Sequence, residues 1–227
     1  MLIGRLNVKV VDRSLRFARG FLLSFGPSAV KRFLWESEYK TNKWDFADHT
    51  AGDPVYACLE RFAKNGSILD VGCGSGNTSN EIAASAYRTY LGVDISSQAL
   101  AKAARRSEAN GRTSKNRYQQ FEFNRFHTSE RFDAILFRES MYHVPIRKIP
   151  VLLDKYSQYL TDDGVFVVRL CTEDHGTPKR RPTKMIETIA NHFDVIERSK
   201  TGDHGVVVIV FKPRRAAGRR GTTGDRT

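Results

Sequence analysis

The chain has 227 residues, 40% of them hydrophobic, enough to build one α/β domain of ordinary size with modest extensions. No run approaches the ~18 apolar residues of a membrane span, and no signal-peptide core opens the chain. Cys58, Cys73 and Cys171 are widely spaced with no C-x-x-C pair, which argues against a disulfide framework or a metal site and fits a reducing cytoplasm.

The net charge of +12 sits at the two ends. Residues 1–43 hold nine Lys/Arg against three Asp/Glu, residues 214–227 five against one, and the 170 residues between them 23 against 21. A near-neutral centre weighs against a basic stripe for nucleic acid across the folded face.

Residues 1–35 read as one or two helices. Arg5, Lys9, Arg13, Arg16 and Arg19 recur at spacings of three and four, so cations line one face, while Leu6, Val10, Phe17 and Phe21 lie on another. Such a helix either makes peripheral contact with an anionic membrane or packs its apolar face on the domain and leaves its charges in water. Gly26-Pro27 breaks the segment, and Ser28–Trp35 starts helix again. Trp35, Tyr39 and Trp44 follow, with Asp45 and Phe46, either as a cover for a site or as core anchors. Asp53 is a good N-cap and Pro54 a good first helical residue, predicting a helix from Val55 to about Lys64 that Asn65-Gly66 stops.

Ile68-Leu69-Asp70-Val71 then makes a short strand, and Gly72, Gly74 and Gly76 alternate with small residues before a helix over Thr78–Ala84. Glycines between a strand and a helix let the backbone approach a ligand, and the helix N-terminus offers free N–H groups. The third glycine comes one residue too early for a G-x-G-x-x-G dinucleotide turn, and no Lys follows Gly76 as a P-loop requires. Thr89–Ser96 is a second strand. Its Asp94 lies 24 residues beyond Asp70, the interval at which an α/β site places a carboxylate for ribose hydroxyls. Ser96 caps a helix over Ser97–Asn110 that Gly111 ends.

Tyr118–Phe123 reads as the third strand and the apolar run Arg131–Phe137 as the fourth. A helix over Arg147–Leu160, a turn at Thr161–Gly164 and a fifth strand over Gly164–Leu170 come next. Residues 171–184 form a polar loop, Met185–His192 a short helix, and Phe193–Ser199 and Val206–Lys212 a closing hairpin. Residues 214–227 lack apolar side chains large enough to pack and are expected to be disordered.

The stretch Ile68-Leu69-Asp70-Val71-Gly72-Cys73-Gly74-Ser75-Gly76-Asn77-Thr78-Ser79 resembles the first motif of the class I S-adenosylmethionine-dependent methyltransferases, and the likeness extends over roughly Gly52 to Pro213. The resemblance implies an α/β fold, a doubly wound seven-stranded sheet in the order 3-2-1-4-5-7-6, mostly parallel with an antiparallel seventh strand. It divides the chain into an N-terminal helical or lid extension (1–50), a methyltransferase domain (51–213) and a basic tail (214–227). It implies S-adenosyl-L-methionine as cofactor, bound by Asp70, Gly72, Cys73, Gly74, Gly76, Asp94, Ile95 and Arg138. Glu122 is then the acceptor for the adenine amino group, with Asn124 its rival.

Ligands of open parallel sheets sit beyond the carboxyl ends of the strands, so the loop after the fourth strand faces the methyl donor. Neither the N-P-P-[YFW] signature of adenine-N6 methylation nor the Pro-Cys nucleophile of cytosine-C5 methylation stands there; Glu139, Tyr142 and His143 do. His143 and Glu139 are the candidate general bases for a hydroxyl acceptor, with His175 and His204 weaker ones. The expected function is O- or N-methylation of a small molecule, a saccharide or another metabolite. The alternatives are an RNA or protein methyltransferase that uses the basic termini, and a nucleoside-binding domain without catalysis, against which the intact glycine turn and Asp94 argue. No pattern in the sequence sets an oligomeric state.

Overall fold

The computed structural model describes residues 17–44, 50–172, 180–201 and 205–214. The cations at 5–16, Asp45, Phe46, His175, His204 and the tail beyond Arg214 lie outside the described residues.

Seven strands form one sheet: β1 (Ser67–Val71), β2 (Thr89–Asp94), β3 (Asn116–Gln120), β4 (Phe132–Arg138), β5 (Leu160–Cys171), β6 (Phe193–Thr201) and β7 (Val206–Pro213), in the order β3-β2-β1-β4-β5-β7-β6. The first five run parallel, and β7 lies antiparallel to both β5 and β6. This is the predicted topology.

The two-residue period of a strand explains why both faces are covered. Leu69, Val71, Ile135, Phe137, Phe166, Val168, Leu170, Ile209 and Phe211 point into one apolar cluster, completed by Leu152, Leu153 and Tyr156 of α6 (Ile149–Ser157) and by Met185, Ile186 and Ile189 of α7 (Arg180–His192). Ile68, Ala134, Leu136, Val165, Val167, Val208 and Val210 point the other way, onto Val55, Tyr56, Cys58 and Leu59 of α3 (Pro54–Ala63). α3 begins and ends as predicted: the Asp53 carboxylate accepts from Val55 N–H at 3.0 Å, and Lys64 turns left-handed at φ 49°. The short α4 (Asn77–Glu81) and α5 (Ser97–Ala109) flank β2, with Ser96 Oγ accepting from Ala99 N–H at 3.2 Å.

Several boundaries differ from the sequence reading. β3 runs from Asn116 to Gln120 rather than Tyr118 to Phe123, because its partner β2 ends at Asp94, opposite Gln120. α4 stops at Glu81, where Ile82 turns extended. A 3₁₀ turn over Ile146–Lys148 replaces the first turn expected of α6. The predicted turn at Thr161–Gly164 is absorbed into β5, at a register irregularity opposite Phe132 and Ala134. α7 starts at Arg180, since Pro182 falls in its first turn, where a proline costs no hydrogen bond.

Ahead of the sheet, a helix over residues 17–25 (α1) and α2 (Ser28–Lys40) are separated at Gly26-Pro27. Leu23 seats α1 in the protein, whereas Phe17, Phe21 and Phe25 stay outside.

Candidate functional site

The turn after β1 is shaped by three left-handed glycines, Gly72, Gly74 and Gly76, at φ 82°, 55° and 74°. A side chain on Gly72 would meet Ser140 Cβ at 2.5 Å, so this glycine also admits the loop after β4. The turn is pinned to β2: Gly72 and Cys73 N–H donate to Val93 O at 2.8 and 3.1 Å, and Gly74 N–H donates to Asp94 Oδ2 at 3.0 Å. Asp94 Oδ1 accepts from Ser96 N–H at 2.9 Å. Burial raises the Asp94 carboxyl to about 6 against these N–H bonds. Ile95 follows it, its carbonyl accepting from Gln120 Nε2 at 2.8 Å.

Asp70 lies inside the site. Burial raises its carboxyl to about 6, opposed by the Tyr90 hydroxyl, which donates to Oδ2 at 2.5 Å, and by the Arg138 charge. Cys73 is enclosed too, and burial together with Asp94 and Asp70 pushes its thiol far up, so it is no nucleophile.

At the ends of β4 and β5, Arg138 and Arg169 stand side by side. Both donate to one carboxylate oxygen, Asp53 Oδ2, at 3.1 Å, and Arg169 also donates to Glu139 Oε1 at 2.5 Å. Glu139 sits at φ 56°, a conformation held by its N–H donating to Arg169 O at 3.1 Å. Tyr142 closes the group by donating to Cys171 O and accepting from Cys171 N–H, at 2.9 and 2.6 Å.

Buried side-chain atoms lacking a hydrogen-bond partner gather here. Among the described residues there are five, and four of them, Asp70 Oδ1, Arg138 Nε, Ser140 Oγ and Arg169 Nε, lie at the ends of β1, β4 and β5 or in the loop after β4. Buried polar groups are normally satisfied, so one open oxygen on Asp70 and one open N–H on each of the two arginines set this end of the sheet apart.

α2 roofs the site. The Glu36 carboxylate accepts from Ser97 N–H at 2.7 Å and Gln98 N–H at 3.0 Å, capping α5 from outside. Burial alone would raise its pKa, yet these N–H bonds hold it below the usual carboxylate range. The Tyr39 hydroxyl stands 2.7 Å from the position a Cβ would take on Gly74. Glu122, two residues beyond β3, accepts from Ser28 Oγ and, at 3.5 Å, from Lys31 Nζ, so α2 shares the carboxylate expected to meet adenine. Asn124 lies in the 3₁₀ turn just beyond, its carbonyl accepting from Lys155 Nζ at 2.8 Å.

His143 ends the 3₁₀ turn Met141–His143 and meets the Trp35 ring edge-on. Burial lowers its pKa to about 4, helped by the charges of Arg19, Arg181 and Lys31 and opposed by Glu38. The structure thus places Asp70, the three glycines, Cys73, Asp94, Ile95 and Arg138 at the carboxyl ends of β1, β2 and β4. It leaves Glu139 ion-paired and His143 under the roof.

Three residues of this arrangement escaped the sequence reading: Glu36, Ser140 and Arg169. Only Arg169 carried a signal, a cation at the end of the apolar run Val165–Val168.

A glycine turn after the first strand, an acid closing the second and the 3-2-1-4-5-7-6 sheet define the class I methyltransferase fold. Residues 44–200 match the methyltransferase domain family, and the chain belongs to that family. No curated protein matches the sequence. Among solved structures, the chain is similar to the N-methyltransferase NodS from Bradyrhizobium japonicum WM9 in complex with S-adenosyl-L-homocysteine, at 18% identity and TM-score 0.56 over 71% of this chain and 86% of that one. It is similar to the magnesium protoporphyrin IX methyltransferase from Synechocystis PCC 6803 with the same product bound, at 13% identity and TM-score 0.62 over 80% and 99%. It is also similar to the glycopeptide N-methyltransferase MtfA complexed with sinefungin, at 14% and 0.60 over 74% and 89%.

Proposed function

We propose that this protein binds S-adenosyl-L-methionine and transfers its methyl group to a nucleophilic atom of a small-molecule acceptor. The observation that carries the reading is the set of unpartnered buried atoms at the strand ends, Asp70 Oδ1, Arg138 Nε and Arg169 Nε, on the side of the left-handed glycine turn. An amino acid moiety, with its ammonium and carboxylate, satisfies such a set. Asp94 has lone pairs left for ribose hydroxyls, and Ile95 supplies an apolar surface for the base. Bound there, the sulfonium supplies an electrophilic methyl that needs no metal.

The chain's own part is to orient and to exclude water. Gly72 and Gly74 let the backbone come close, α2 covers the recess, and the loop after β4 presents the acceptor side. Nitrogen is the better acceptor atom for the described residues. His143, held at about 4, is a weak base at neutral pH, and Glu139 is tied to Arg169. A neutral amine needs no proton removed before it attacks. The near-neutral charge of residues 44–213 supports a small molecule over RNA, and two of the similar structures are themselves N-methyltransferases.

Calorimetric titration with S-adenosyl-L-methionine and S-adenosyl-L-homocysteine tests the cofactor. Both bind, and Asp94→Ala weakens binding by about 1–3 kcal/mol through the lost charged acceptor. Absence of heat with either nucleoside overturns the reading. Radiolabelled donor with fractionated extract then identifies the acceptor.

A further inference from the structure

The apolar side of α1 faces solvent. Phe17, Phe21 and Phe25, spaced four apart on one helical stripe, are 78%, 56% and 56% exposed, and Phe33 of α2 is 70% exposed. The Phe21 and Phe25 rings touch, with centroids 5.2 Å apart. Scattered exposed apolar residues are ordinary, but a run of phenylalanines on one short helix is not. Among the described residues of α1, Leu23 alone is fully buried.

Charge selects what would cover it. Residues 17–44 hold five Lys/Arg, namely Arg19, Lys31, Arg32, Lys40 and Lys43, against two acids, Glu36 and Glu38. Both acids are taken up within the protein: Glu36 by the α5 N–H groups, Glu38 by Arg19, Lys43 and the Trp44 indole. Arg32, next to Phe33, is exposed. Arg19 and Lys43 are spent on Glu38 and Lys31 on Glu122, so the segment shows the outside phenylalanines together with the positive charge of the exposed Arg32 and Lys40. A second copy would bring the same positive charge against it and be repelled. No helix among the described residues is long and apolar enough to cross a membrane.

We infer that the α1–α2 segment is a docking surface for an anionic lipid bilayer. Phe17, Phe21 and Phe25 enter the acyl boundary while Arg32 and Lys40 meet the headgroups. Phenylalanine on one face and Lys/Arg on the other is the physical pattern of a helix lying in a membrane interface.

The test is sedimentation of the full-length chain with vesicles of phosphatidylcholine alone or with phosphatidylglycerol admixed; it needs neither nucleoside nor acceptor, so its outcome is separate from that of the nucleoside titration. The chain is expected to sediment with the anionic vesicles, weakly with the neutral ones, and less as salt rises. The double change Phe21→Ser and Phe25→Ser should lower the partition coefficient about tenfold or more, with an unchanged melting temperature because both rings are solvent-exposed. Phe17→Ser alone should lower it in the same direction. Failure to sediment with anionic vesicles at low salt overturns the inference. So does undiminished sedimentation of the double variant, which would assign the binding to charge alone. Light scattering that shows a dimer lost in the double variant would assign the stripe to self-association and overturn it equally.

Discussion

The imidazole of His143 lies edge-on to the indole of Trp35, with centroids 5.5 Å apart and planes at 72°. One residue belongs to the loop after β4 and the other to the helical roof, so the roof contributes to the burial of the histidine. Burial lowers the pKa from 6.5 to about 4. The imidazole is then neutral at physiological pH, and it gains little by taking up a proton.

A histidine depressed in this way binds its proton in the unfolded chain before the folded one. It therefore contributes stability that is whole above pH 6.5 and lost as pH falls through about 4, at most about 3 kcal/mol. An NMR titration of the His143 ring should show a midpoint near 4, and Trp35→Ala should move it back toward 6.5. A midpoint of 6–7 in the intact protein would restore His143 as an effective base.

Asp70 and Asp94 work in the opposite sense. Both carboxyls are raised from 3.8 to about 6, so the folded protein keeps protons that the unfolded chain has released. Their contribution to stability is present below 3.8 and lost as pH rises through 6. Ribose hydroxyls and an ammonium favour the ionised carboxylates. Nucleoside binding near pH 6 should therefore release protons, and affinity should fall on acidification, by up to about tenfold per pH unit for each group. Titrations in buffers of different ionisation heat measure this, and identical heats in all buffers would contradict it. Asp70→Asn should reduce the release.

Asp53 has two tasks, capping α3 and neutralising a pair of adjacent arginines from a site where its side chain is 5% exposed. Asp53→Ala leaves Arg138 without a carboxylate partner and should cost about 3–5 kcal/mol in urea unfolding. Asp53→Asn keeps an acceptor for Val55 N–H and should cost less. A loss no greater than that of an ordinary cap, about 1 kcal/mol, would show that the arginines find other partners.

Gly72→Ala combines a positive φ with a contact on Ser140, so it should lower stability by about 1–3 kcal/mol and nucleoside affinity with it. Thermal melting and calorimetry of the variant check both. Wild-type values in each would mean that the loop after β4 gives way freely.

What could be read from the sequence was local. Asp53-Pro54 as a helix start, Ser96 as a cap, the glycine turn and the acid at Asp94 depend on residues a few positions apart, and the alternating apolar strands follow from the two-residue period. What could not be read was long-range pairing. Nothing near Glu122 in sequence shows that Ser28 and Lys31, more than ninety residues earlier, reach its carboxylate. β3 ended early because β2 did, a fact of registration rather than of composition. Arg138 and Arg169 became neighbours only through the pairing of β4 with β5.

The Glu36 carboxylate makes the first turn of α5 a gauge of the roof's position. Ser97 and Gln98 N–H have their acceptor on α2, in a distant part of the chain, so any lifting of α2 leaves those two amides open to solvent while the Ser96 cap stays in place. Their deuterium uptake thus clocks the opening of the recess, and a nucleoside that holds the roof down slows both amides together.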